Sequence, residues 1–138
     1  MKKFILTMSL IASMNTYADE APRLRTLMAT MGGHAQAMLV GILYDNYDVI
    51  INAVAWVNNH PQPTGDMAAI KKELGVEVVR FKWYDTLTHN AANAAGKAAE
   101  NKDMKEVAKQ YGKMIQGCTS CHDTFRDRLR LVLHKDEQ

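Results

Sequence analysis

Apolar side chains recur at three- and four-residue steps through four long stretches of this 138-residue chain, and almost none of it alternates. That periodicity restricts the fold to packed helices. In the first stretch Leu24, Leu27, Met28, Met31, Ala35, Met38, Leu39 and Ile42 make the stripe. Over residues 45–58, Tyr47, Ile50, Val54 and Val57 share a face. His60-Pro61-Gln62-Pro63-Thr64-Gly65 then breaks the chain, because proline lacks a backbone donor and glycine relaxes the backbone. A short helix over 67–74, stopping at Gly75, is expected in the crossover. The third long stretch, 77–100, is expected to turn Val79, Trp83, Leu87, Ala91, Ala94 and Ala98 inward. The fourth, 103–133, is the most regular, with Val107, Tyr111, Met114, Cys118, Cys121, Phe125, Leu129 and Val132. Asp103 is expected to cap it, with Glu106 three residues on. Residues 76–81 alone read as a strand, but no partner strand accompanies them. Four amphipathic helices and one longer connection predict an all-α four-helix bundle in a single domain.

Ahead of the first stripe, Lys2 and Lys3 precede a mainly apolar run at residues 4–12, and Thr16-Tyr17-Ala18 offers small residues. A basic start, a short apolar middle and a small-residue end predict a secretory signal peptide over residues 1–18, with the mature domain at 19–138. The run falls well short of the roughly 20 residues that cross a bilayer, so no membrane span is expected after cleavage. Loss of Lys2 and Lys3 takes the basic count from 17 to 15 against 15 acids, leaving the mature polypeptide formally neutral. The basicity therefore belongs to the export signal, and no nucleic-acid partner is expected, since that needs a basic patch on the folded domain.

Export gives meaning to Cys118-Thr119-Ser120-Cys121-His122. In an oxidising compartment two cysteines ordinarily make a disulfide. Across three positions, however, such a bond closes a very small loop and removes little unfolded-state entropy. Cys-x-x-Cys-His is instead the signature of covalent haem attachment. Each thiol adds to one vinyl group of the porphyrin, and the next residue reaches the iron. On a helix Cys118 and His122 lie one turn apart on nearly the same face, with Cys121 beside them. The sequence thus predicts one haem c, bonded to Cys118 and Cys121 and ligated by His122. A redox-active dithiol would sit near a βαβ pattern, which is absent. Structural zinc needs four ligands, and the spacing of His34, His60, His89 and His134 supplies no second ligand couple.

With this motif near the end of a helical bundle, the chain resembles the class II cytochromes c, the family of cytochrome c′ and cytochrome c-556. The matching pieces are Leu27-Met28-Ala29-Thr30-Met31-Gly32-Gly33-His34, Trp83 and residues 118–126, while the crossover at 61–78 matches poorly. The resemblance implies an antiparallel four-helix bundle with the covalently bound haem on its last helix. It also implies a soluble periplasmic protein that passes single electrons between a redox-partner donor and acceptor. Some relatives dimerise through the first two helices, so a monomer or homodimer is implied, with Tyr44 or Tyr47 facing a partner or solvent.

Family members divide over the far side of the iron. Cytochromes c′ leave it open and bind small gases such as nitric oxide or carbon monoxide; the c-556 type fills it with a first-helix methionine, which Met28 matches. A Met/His pair raises the haem potential and suits electron transfer, so the resemblance implies low-spin iron between His122 and Met28. Methionine on an apolar helix face is also ordinary core filling; Met31 and Met38 share that face, and Met31 is the rival ligand. Relatives commonly carry an arginine one turn before this methionine, where this chain has Leu24 followed by Arg25. Gly32 and Gly33 leave room for a porphyrin face or mark a helix irregularity, and His34 is expected at the surface or between helices. The family's counterpart of Arg126 lies close to the haem's proximal side, where its charge tunes the potential; a solvated arginine is the alternative. Phe125 and Trp83 are expected beside the haem or in plain core. An enzyme of the peroxidase kind needs polar distal groups and an open site, whereas the first helix offers mainly methionine, alanine and leucine. No catalysis is expected.

Overall fold

The structure, a computed structural model, describes residues 23–133; the expected signal segment lies outside the described residues. Five helices follow in order: α1 Leu24–Leu43, α2 Tyr47–Asn59, α3 Met67–Leu74, α4 Val78–Glu100 and α5 Met104–Leu133. A single 3-10 turn, Gly75–Glu77, joins α3 to α4, so the strand-like residues 76–81 belong to that turn and the start of α4. No strand occurs among the described residues.

Two tight reversals set the topology. Residues 44–46 join α1 to α2 and residues 101–103 join α4 to α5, and connections this short make antiparallel neighbours. Each turns on one residue with positive φ, Asp45 at 52° and Lys102 at 56°. Asn46 caps α2 by accepting from the Val49 amide at 3.2 Å, and Asp103 caps α5 by accepting from the Glu106 amide at 3.0 Å, the latter as its sequence position predicts. The Tyr47 hydroxyl donates to the Lys102 carbonyl at 3.0 Å, tying the two reversals together at one end of the bundle. Tyr44 stays 79% exposed.

The four long helices contact one another in a ring, α1 to α2, α2 to α4, α4 to α5 and α5 back to α1, with α3 lying on α5. Their core divides in two. One cluster gathers Met38, Ile50, Val54, Val57, Val107 and Met114 with the alanines of α4. The other gathers Leu24, Leu27, Ile70, Leu74, Tyr84, Phe125 and Leu129, two of them supplied by α3.

The inward face of α4 keeps Ala91 and Ala98 as the sequence predicts but departs from it in the first half of the helix. Val79 is 73% and Trp83 53% exposed, and Leu87 is exposed as well, while Tyr84, Thr88, Ala91, Ala92, Ala95, Ala98 and Ala99 are buried. The reason is close approach. A Cβ on Gly96 would stand 2.9 Å from Val54 Cγ1, and one on Gly117 would stand 2.7 Å from Thr88 Oγ1. Helices this near need small residues between them, so the broad alanine face turns inward and the bulky residues turn out. The two polar residues on that face are satisfied: the Thr88 hydroxyl donates to the Tyr84 carbonyl at 3.0 Å, and Arg80 donates to the Tyr84 hydroxyl at 3.2 Å.

The crossover also closes the first helix. Asp66, only 3% exposed, accepts from the Leu24 amide at 2.6 Å and pairs with Arg23 Nε at 2.8 Å. A carboxylate brought from 42 residues away thus satisfies an orphan donor at the positive end of α1. Asp66→Ala is expected to cost about 0.5–2 kcal/mol, the usual range for a lost cap. Urea unfolding of the holoprotein checks this; an unchanged midpoint would mean the contact holds nothing.

Among the described residues α1 is long and apolar enough by length and composition to cross a membrane. Here its Leu24, Leu27, Met38 and Gly41 are buried inside the bundle.

Candidate haem-binding site

Between α1, α4 and α5 lies a cavity of about 640 Å³. That is within the range of roughly 300–1,000 Å³ typical of cofactor and ligand pockets. From α5 it is lined by Cys118, Cys121, His122 and Phe125, from α1 by Leu24, Met28, Met31 and Ala35, and from α4 by Phe81, Tyr84 and Thr88. The sequence's attachment residues and its two candidate methionines therefore meet in one space. Helical spacing brings the first three together: residues 118, 121 and 122 fall on one turn of the unbroken α5.

Electrostatics distinguish these thiols from a redox pair. Burial pushes the Cys118 thiol up, against a partial lowering by its hydrogen bond with Thr88. Burial, with the nearby charges of Asp85 and Cys118, pushes Cys121 up to about 11. A dithiol oxidoreductase lowers the pKa of its attacking cysteine, so both shifts run against that chemistry. His122 moves the other way: burial and then the Arg126 charge hold its pKa below the usual imidazole value. A neutral ring keeps a nitrogen lone pair for a metal.

Arg126 lies at the cavity's edge one turn beyond His122, largely exposed and 3.7 Å from Asp127. It is solvated, and its charge nevertheless reaches His122. Trp83 does not line the cavity; the rotation of α4 puts Tyr84 there instead, which corrects its expected place beside the haem. Phe125 does line it, packed edge-on against Phe81 at 5.8 Å and Tyr84 at 6.3 Å. Gly32 borders the cavity, and α1 runs through both glycines without a break. His34 lies between helices, stacked on Trp56 at 4.4 Å.

The residues fit a haem in three respects: two thiols and an imidazole on one turn, walls that are mainly apolar, and arginines at the edge. Arg23, Arg25, Arg126 and Arg130 all border the cavity and suit the two carboxylates a porphyrin carries. Sequence reasoning missed Arg23, Tyr84 and Asp66, whose places depend on α4 rotation and the crossover. It also missed that His60 and His89 meet in space, together with Asp85 and without either cysteine.

Fold and site together define a haem-binding cytochrome. The chain belongs to the cytochrome c′ family, a class II cytochrome c family whose model matches residues 24–126. No match was found among curated proteins or solved structures.

Proposed function

We propose that this is a periplasmic electron carrier with a single covalent haem c on Cys118 and Cys121, and with His122 and Met28 as the axial iron ligands. One observation carries the reading: Met28 of α1 and the attachment turn of α5 border the same mainly apolar cavity. The haem supplies a one-electron couple whose potential a Met/His pair raises. The chain supplies the rest. His122 stays neutral and offers its lone pair, and the apolar walls keep water from the ring. Met28 is favoured over Met31 by packing. Met28 belongs with Cys121 to the cluster nearest the crossover, whereas Met31 packs against both clusters and fills the seam between them. Partners are a donor and an acceptor redox protein; neither nucleic acid nor catalytic turnover is part of the reading. The cytochrome acts as a monomer or a homodimer.

A second reading, an open iron position that takes nitric oxide or carbon monoxide, has the description of the matched family in its favour. Optical spectra of the holoprotein beside Met28→Ala separate the two. The carrier reading expects a low-spin wild type with a weak sulfur-to-iron band in the red when oxidised. In the variant that band is lost, the iron becomes high-spin and carbon-monoxide-reactive, and the potential falls by an amount on the order of 0.1 V. A high-spin wild type that binds carbon monoxide and ignores the substitution would establish the second reading.

A further inference from the structure

Three side chains outside the haem ligand set converge where the end of α2 meets α4. His60 Nε2 lies 3.2 Å from His89 Nε2, and His89 Nε2 lies 3.5 Å from Asp85 Oδ1. All three potential ligand atoms are within 4.8 Å of one another. Local structure holds them there. Asp85 and His89 are one turn apart on α4 and so share a face. His60 is the residue after α2, with φ −61° and ψ 152°, the extended backbone that Pro61 demands of the residue before it.

Hydrogen bonding sets the His60 tautomer. His60 Nδ1 is 2.9 Å from the Pro61 carbonyl oxygen, and a carbonyl can only accept, so Nδ1 carries the hydrogen. Neutral His60 then presents a bare lone pair at Nε2, toward His89. Metal-binding histidines are oriented in this way, with the outer nitrogen donating to a backbone carbonyl. Distances agree. Two imidazole nitrogens each 2.0–2.1 Å from a tetrahedral ion stand about 3.3 Å apart, close to the separation His60 and His89 already have. Asp85 is half-exposed and His89 partly so, which leaves a path from solvent.

We propose that His60, Asp85 and His89 bind one divalent transition-metal ion of the zinc class, with water completing the coordination. Two imidazoles and one carboxylate suit zinc, copper or nickel, and they select against calcium and magnesium, which take oxygen ligands. The sequence held half the signal, an aspartate and a histidine four apart on a helix; the third ligand comes from across the crossover.

Calorimetric titration of zinc chloride into the holoprotein tests this, and its heat does not depend on which group opposes His122. One zinc per chain is expected. His60→Ala and His89→Ala should each weaken binding by more than the roughly 10–100-fold that loss of an outer-shell partner costs, and Asp85→Asn, which keeps size and shape, should weaken it too. His34→Ala, beside the neighbouring Trp56, should leave it unchanged. An unaltered haem spectrum and helical circular dichroism verify that each variant is folded. Absence of saturable zinc binding by the wild type would overturn the site and leave a hydrogen-bonded histidine pair. Binding that survives His60→Ala and His89→Ala would overturn it equally.

Discussion

The haem-free variant Cys118→Ala/Cys121→Ala is expected to keep helical circular dichroism while losing its cooperative melt and its near-ultraviolet signal. The cavity between α1, α4 and α5 measures about 640 Å³. Its walls are mainly apolar, so with nothing bound that surface lies exposed to water, at a cost of roughly 25 cal/mol for each Å². The entire stability of a small domain is about 5–15 kcal/mol. Without a group to fill it, the walls must close in or flood, and either outcome destroys the fixed packing of Leu24, Leu27, Tyr84 and Phe125. The alanine-rich cluster around Met38 and Val107 stands mostly apart from the cavity and preserves helix. The expected product is a compact state with secondary structure and fluctuating side chains. A haem-free variant that melts as hot and as cooperatively as the holoprotein would show that the cavity does not need the group.

Phe125→Ala in the holoprotein is expected to cost about 3–5 kcal/mol, the range for a buried phenylalanine. Its ring is 1% exposed, borders the cavity and joins α5 to two aromatic residues of α4. Phe125→Leu keeps most of the volume and should cost less than half as much. Trp83→Ala supplies the contrast: the larger ring lies on the solvent side of α4, so its loss should cost under about 1 kcal/mol. Urea unfolding of the three variants checks the order. A Trp83 effect equal to that of Phe125 would return α4 to the orientation expected from sequence alone.

That orientation marks where sequence reasoning stopped. Helix ends were legible wherever local chemistry sets them: Asp103 as a cap, the prolines after His60, and Gly75 after Leu74 all act where expected. The inward face of α4 was legible at Ala91 and Ala98 but not in its first half, because the alanines from 91 to 99 make an apolar arc too broad to fix its phase. The choice is made by distance, through Gly96 against Val54 and Gly117 against Thr88, and close approach leaves no mark in a hydropathy pattern. That residues 118, 121 and 122 share one turn and face the cavity was legible, since their spacing is a one-turn feature. The choice of Met28 rests on family resemblance, since periodicity leaves it equal to Met31 and both border the cavity. Asp66 capping α1 and His60 meeting His89 depend on how the crossover lies, and nothing local encodes that.

In the proposed carrier one haem is held between the attachment turn of α5 and the thioether of Met28. Iron-edge X-ray absorption of the oxidised holoprotein reads the ligand atoms directly. Five nitrogen neighbours and one sulfur are expected around the iron, with the sulfur missing from Met28→Ala. A shell of nitrogen alone in the wild type, or a sulfur that persists in the variant, would contradict it.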